Sequence, residues 1–115
     1  MFSARNSVYS GVPVLHLSGE LDVASLPDIK RQMSALAPAT CLIIDLEGVT
    51  FMDSSFVGQL VRLHDDLTSN AGAVALASCP TNVARVLHML GIQAQVAFFD
   101  DVDAAAEYLK VECSI

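Results

Sequence analysis

Basic residues are scarce in this chain: 6 Lys plus Arg stand against 13 Asp plus Glu in 115 residues, a formal net charge of −7. Affinity for a phosphate backbone comes mainly from Lys and Arg displacing counterions. Here Arg5, Lys30, Arg31, Arg62, Arg85 and Lys110 are scattered, with only Lys30 and Arg31 adjacent. This argues against nucleic acid and anionic membrane surfaces as partners. Long apolar runs are missing as well. The longest run of small apolar residues, 71–77, has seven members, far below the roughly 18–20 that span a bilayer. The N-terminus carries Arg5 but then Asn6, Ser7 and Ser10, and its apolar stretch 12–17 is interrupted by His16. It reads as a strand rather than a targeting signal, and the expected location is the cytoplasm.

Cysteine is sparse and odd in number. Cys41, Cys79 and Cys113 lie 38 and 34 residues apart, which suits neither a secreted disulfide framework nor the close pairs of a zinc site. They read as buried, reduced thiols packing as small hydrophobes, with a redox pair involving the near-terminal Cys113 as the alternative. Cys41 opens one expected strand and Cys79 follows another. In parallel strands they would sit at opposite ends of the sheet, beyond the roughly 4.4–6.8 Å Cα spacing of a disulfide. Metal-ligand clusters and Gly-rich phosphate-cradling loops are also absent, so no metal or cofactor is expected. His16 in a strand and His64 on an apolar helical face read as core or half-buried histidines. No set of nucleophile, base and orienting group stands out, and the chain is not read as an enzyme.

What is present is core. Hydrophobic residues make up 53% of the chain and charged residues 17%, enough apolar surface for one packed domain over residues 1–115 and too little polarity for disorder. Residues 2–9 and 12–18 read as an antiparallel strand pair, with Gly11-Val12-Pro13 as the turn. From Leu26 the period changes: Leu26, Ile29, Met33 and Leu36 fall at helical spacing, Pro27 suits a first turn, and Pro38 stops the helix. Residues 41–46, bounded by Ala39-Thr40 and Glu47-Gly48, read as a central strand buried on both faces.

Val57, Leu60, Val61, His64 and Leu67 then mark a second helix closed by Gly72 as a left-handed cap. Residues 73–77 form a further strand. Val83, Val86, Leu87 and Leu90 mark a third helix, introduced by Pro80-Thr81-Asn82 and capped by Gly91. A short strand at 95–99 and a helix at 102–110 complete the chain, with Met33, Met52 and Met89 as core filler. Alternation of helix and strand from residue 24 onward implies an α/β fold, a mixed sheet of about five strands with about four helices.

Two segments put polar residues at the end of an apolar strand, where open α/β sheets carry their sites. They are Gly19-Glu20-Leu21-Asp22 and Asp53-Ser54-Ser55-Phe56. A Ser at a strand-to-helix junction lies among unpaired backbone N–H groups at the positive end of the helix dipole, where a phosphate is well accommodated. Asp and Ser are also preferred helix N-caps, so on their own these residues could serve capping alone.

The run Leu46-Glu47-Gly48-Val49-Thr50-Phe51-Met52-Asp53-Ser54-Ser55 resembles the phosphorylation-site signature of the anti-anti-sigma factors, the bacterial STAS domains that antagonise anti-sigma factors. Gly19-Glu20-Leu21-Asp22 is similar to the acidic loop that this family places after its second strand, and Leu90-Gly91-Ile92 sits where the family has a helix-ending Gly. The resemblance covers nearly the whole chain. It implies a STAS-like fold and an anti-sigma factor antagonist. Its partner would be an anti-sigma factor that is also a serine kinase, bound when the antagonist is unphosphorylated and released by phosphorylation of Ser55. By the same resemblance Asp22, with Glu20 beside it, contacts the partner; Ser54 is a neighbour of the phosphoacceptor and Asp53 caps the helix.

The family usually continues Asp-Ser-Ser-Gly-Leu, whereas this chain has Phe56-Val57 and a Gly only at Gly58. Phe56 is either a core residue of the helix or an exposed partner-binding anchor, since aromatic side chains serve both uses. Two other classes of function stay open. One is a STAS adaptor that is never phosphorylated, within a transport or stress-signalling complex; the other is a module that senses a small anion or nucleotide.

Overall fold

The computed structural model describes residues 2–36 and 41–113. Strand β1 (Phe2–Tyr9) and strand β2 (Val12–Leu21) form the expected antiparallel hairpin, Phe2 facing Gly19 and Tyr9 facing Val12. The turn is tighter than the sequence suggested. Ser10 (φ 51°) and Gly11 (φ 82°) both adopt positive φ, as a two-residue hairpin with right-handed twist demands. Val12 and Pro13 already belong to β2, and Val12 is fully buried.

A 3-10 turn (Val23–Ser25) leads into helix α1 (Leu26–Ala35). Pro38 and Ala39-Thr40, expected to separate that helix from the next strand, lie outside the described residues. Strand β3 (Cys41–Met52), helix α2 (Ser54–Ser69), strand β4 (Ala73–Ala77) and helix α3 (Thr81–Met89) follow. A second 3-10 turn (Ile92–Ala94) precedes the last expected strand, and the N–H groups of Gln95 and Val96, expected to open that strand, donate back to the Ile92 carbonyl, both at 2.9 Å. Strand β5 is therefore only Ala97–Phe99, and helix α4 (Val102–Glu112) ends the fold. Sheet order is β1-β2-β3-β4-β5, with every pair after the hairpin parallel.

Period-two alternation along β3 divides the core between two faces. Leu42, Ile44 and Leu46 point into the larger cluster, with Ile29 and Met33 of α1, Phe56, Leu60 and Leu67 of α2, and Val83 and Leu87 of α3. Cys41 and Ile43 point the other way, against Ala105, Ala106 and Leu109 of α4.

Strands β2 and β3 run further than their apolar stretches suggested, to Leu21 and Met52 rather than Ser18 and Leu46. They stay paired past Ala77, the end of β4, through Ser18–Gly48, Gly19–Val49, Glu20–Phe51 and Leu21–Met52, with register shifts on either side of Ser18-Gly19. Bulges break the alternation on which a strand is recognised, which is why this stretch reads as loop. Gly48 permits the approach: a Cβ there would lie 2.6 Å from Cβ of Ser18.

Three further expectations are corrected. The left-handed residue ending α2 is Ala71 (φ 61°), not Gly72. The N–H groups of Ala71 and Gly72 donate to the carbonyls of Thr68 (3.1 Å) and Leu67 (2.7 Å), a Schellman closure with alanine where glycine is usual. Met89 is no core filler but 80% exposed. Cys41 and Cys113 are not reduced thiols: they form a disulfide with Cα atoms 6.5 Å apart. Helix α4 follows β5 and runs back across the sheet, which carries Cys113 to the end where β3 begins. Cys79 remains free at the opposite end, its thiol pushed up to about 11 by burial.

Candidate functional site

The paired ends of β2 and β3 bring the two acidic segments together. Leu21 faces Met52, and the N–H of Asp53 donates to the Leu21 carbonyl at 3.2 Å, so the ladder persists into the junction. Each chain then leaves the sheet through an extended aspartate, Asp22 (φ −117°, ψ −177°) and Asp53 (φ −118°, ψ −179°). Both carboxylates serve as caps. Asp22 Oδ1 accepts from the N–H of Ser25 at 3.1 Å, and Asp53 Oδ1 accepts from the N–H of Ser55 at 2.9 Å. Each satisfies a backbone donor that the helix start leaves orphaned. Hydrogen bonds from the Ser25 hydroxyl and N–H hold the Asp22 carboxyl below the ordinary carboxylate range.

The two serines differ. Ser25 is buried, and its hydroxyl bonds to the Glu20 carbonyl and to Asp22 Oδ1, both at 3.1 Å. Ser55 is half-buried on the first turn of the 16-residue α2. Among the described residues its hydroxyl has no hydrogen-bond partner. Ser54 beside it is exposed. An uncommitted hydroxyl at the positive end of a long helix can accept a phosphoryl group and keep the added charge near favourable dipoles.

The remaining expected site residues divide. Glu20 is exposed, but it lies within β2 opposite Phe51 rather than in a loop after the strand. Phe56 is completely buried. Its ring turns into the sheet interface with Leu60 and cannot act as an exposed anchor, and it does not stand in front of Ser55. Phe occupies the position after the serines because that position faces the core.

Two exposed apolar residues beside the candidate site did not stand out in the sequence. Phe51 is 47% exposed and Val23 66% exposed; they flank the two junctions and add apolar contact area to an otherwise polar rim. A signal existed for Val23, an apolar residue directly after Asp22, whereas Phe51 is separated from Asp53 by the buried Met52 and carries none of its own. The start of α3 also belongs here, because the Asn82 side-chain amide donates to the Thr50 carbonyl at 3.1 Å.

One arrangement that sequence spacing gave no hint of lies on the opposite face of the sheet. Ser7 Oγ is 2.7 Å from His16 Nε2, and His16 Nδ1 is 2.7 Å from Asp45 Oδ2. No such set stood out along the chain because its three members come from three separate strands. His16 is half-buried, as expected. Among the described residues no group of three or more His, Cys, Asp or Glu side chains could hold a metal ion, and no helix is long and apolar enough to cross a membrane.

The architecture and the Asp-capped serine junction define a STAS domain, and comparison with known proteins agrees. The STAS domain family model matches residues 4–105, and the chain belongs to that family. An anti-sigma F factor antagonist of Paenibacillus polymyxa is 29% identical over 106 residues, covering 90% of this chain and 91% of the relative. A crystal structure of an anti-sigma factor antagonist from Mycobacterium paratuberculosis shares the fold with a TM-score of 0.88 at 20% identity, covering 96% of this chain and 95% of that one. The Bacillus cell fate determinant SpoIIAA in its phosphorylated form does so with a TM-score of 0.69 at 24% identity, covering 94% and 99%.

Proposed function

We propose that this protein is an anti-sigma factor antagonist, that it captures an anti-sigma factor through the surface around Ser55, and that phosphorylation of Ser55 by that partner, itself a serine kinase, releases it. The observation that carries this reading is the uncommitted Ser55 hydroxyl at the start of α2, set beside a matched junction whose serine is fully engaged. The relative's name and the phosphorylated form of SpoIIAA support it.

The fold tolerates the phosphate because α2 presents N–H groups and a dipole of the right sign. The interface does not. About 1.5–2 negative charges appear beside Asp53 and Asp22, where the partner had met a neutral hydroxyl. With solvent screening the charge term is on the order of 1–3 kcal/mol, about 5–150-fold in affinity. Calorimetric titration against the cognate anti-sigma factor tests this. Ser55→Asp is expected to bind weakly, Ser55→Ala to bind constitutively, and Ser54→Ala to remain switchable. Equal affinity for Ser55→Ala and authentic phosphoserine protein overturns the switch and leaves a STAS adaptor.

A further inference from the structure

Helix α4 covers only part of its sheet face. Beyond Val14 and Ile43, which pack beneath it, the next same-face positions on β2 and β3 are His16 and Asp45. With Ser7 of β1 they make a chain of hydrogen bonds across three strands, each link 2.7 Å. Asp45 is only 8% exposed, and its other oxygen accepts from the N–H of Glu47 at 3.1 Å, which holds the carboxylate in place. A carboxylate accepts and cannot donate. The proton of the neutral imidazole therefore sits on Nδ1, and the lone pair of Nε2 faces Ser7, whose O–H donates to it. These are the roles of nucleophile, base and orienter, in the atom order that hydroxyl activation needs.

Beside this chain lies a groove of about 410 Å³ lined by Ser3, Arg5, His16, Ser18, Asp45 and Glu47. Arg5 faces His16 in the hairpin register and has no ion-pair partner among the described residues. Its guanidinium is thus available to a developing oxyanion.

We propose that Ser7, which does not line this groove but bonds to the His16 that does, is a base-activated nucleophile that takes up the acyl group of small activated carboxylic esters. Ser7 Oγ bonds to the ester carbonyl carbon as its proton passes to His16 Nε2. The carbonyl electron pair moves onto oxygen beside Arg5, then re-forms the carbonyl and expels the alkoxide, which leaves with the proton from Nε2. An acyl-serine remains, and water attacks it by the same route, giving a carboxylic acid and restoring the hydroxyl.

Incubating the intact protein with p-nitrophenyl acetate, then mapping peptides by mass spectrometry, tests this. Acetylation is expected at Ser7 and not at Ser3 or Ser18, whose hydroxyls share the groove and bond to each other but not to a histidine. His16→Ala is expected to slow acetylation of Ser7 by about 10²–10⁴-fold, the worth of a positioned general base. Asp45→Asn is expected to slow it too and to alter its pH profile, because an amide can donate to Nδ1 and move the imidazole proton to the nitrogen facing Ser7. Even acetylation across Ser3, Ser7 and Ser18 in the unmutated protein overturns the proposal, as does a Ser7 rate indifferent to His16→Ala. Neither outcome bears on Ser55, which lies at the start of α2 on the other face of the sheet.

Discussion

The two strand-to-helix junctions use the same cap to opposite ends. At the end of β2, Asp22 and Ser25 stand three apart, so the serine hydroxyl folds back onto the Glu20 carbonyl and the Asp22 carboxylate. At the end of β3, Asp53 and Ser55 stand two apart; the cap engages only the Ser55 N–H, and the hydroxyl stays uncommitted. One residue of spacing separates a serine consumed by structure from one available to chemistry. Capping and an available hydroxyl are thus compatible here: the Asp53 carboxylate fixes the backbone through the Ser55 N–H and leaves the side chain unengaged among the described residues.

The strongest way to break the comparison is to remove what the second junction rests on. Phe56→Ala deletes a fully buried ring directly after Ser55 and is expected to cost about 3–5 kcal/mol of stability, read by urea denaturation. A loss under about 1 kcal/mol would mean that α2 does not depend on that ring. Reducing the Cys41–Cys113 disulfide, which links residues 72 apart in the chain, is expected to cost about 2–4 kcal/mol. It acts at the end of the sheet remote from both junctions, so capture of the anti-sigma factor should persist in reductant at a temperature where the protein stays folded.

The serines themselves sharpen the contrast. Ser25→Ala removes hydrogen bonds to the Glu20 carbonyl and to the Asp22 carboxylate, an expected loss of about 1–2 kcal/mol. Ser55→Ala should leave the denaturation midpoint nearly unchanged while abolishing phosphorylation. If both substitutions destabilise equally, the distinction between the junctions fails.

Gly58 is exposed one turn beyond Ser54, and a Cβ added there would meet nothing within 4 Å. Gly58→Ala should raise stability by about 0.8–1 kcal/mol through helix propensity. A simultaneous fall in partner affinity would show that the bare backbone there is part of the docking surface.

The smallest effect is the pH dependence at Asp22. Its folded-state pKa is depressed by the Ser25 hydroxyl and N–H, so its contribution is present above the unfolded value near about 3.9 and is lost as pH falls through the folded value. Asp22→Asn should flatten that acid limb slightly in pH-resolved thermal melts.

Much of the fold was legible in the chain because helices and strands are set by neighbours in sequence. Leu26, Ile29 and Met33 mark α1 at helical spacing, residues 73–77 give β4 as expected, and Gly91 ends α3 in the left-handed conformation. The Asp53-Ser54-Ser55 junction was legible for the same reason, since a cap and the residues it serves lie within one turn.

What needed the tertiary structure depends on which residues the topology brings side by side. Phe56 could face in or out until α2 was laid on the sheet. Residues 47–52 lost their strand signature to bulges in the pairing with β2, where Gly48 comes close to Ser18 of that strand. Cys41 and Cys113 meet because α4 runs antiparallel to β3, and Ser7, His16 and Asp45 because three strands align on one face. Sequence by itself determined the elements and the capped serine junction, both products of short-range sterics and hydrogen bonding. The disulfide, the buried ring and the Ser7–His16–Asp45 chain were decided by packing, because contacts across a sheet join residues whose separation along the chain carries no periodic trace.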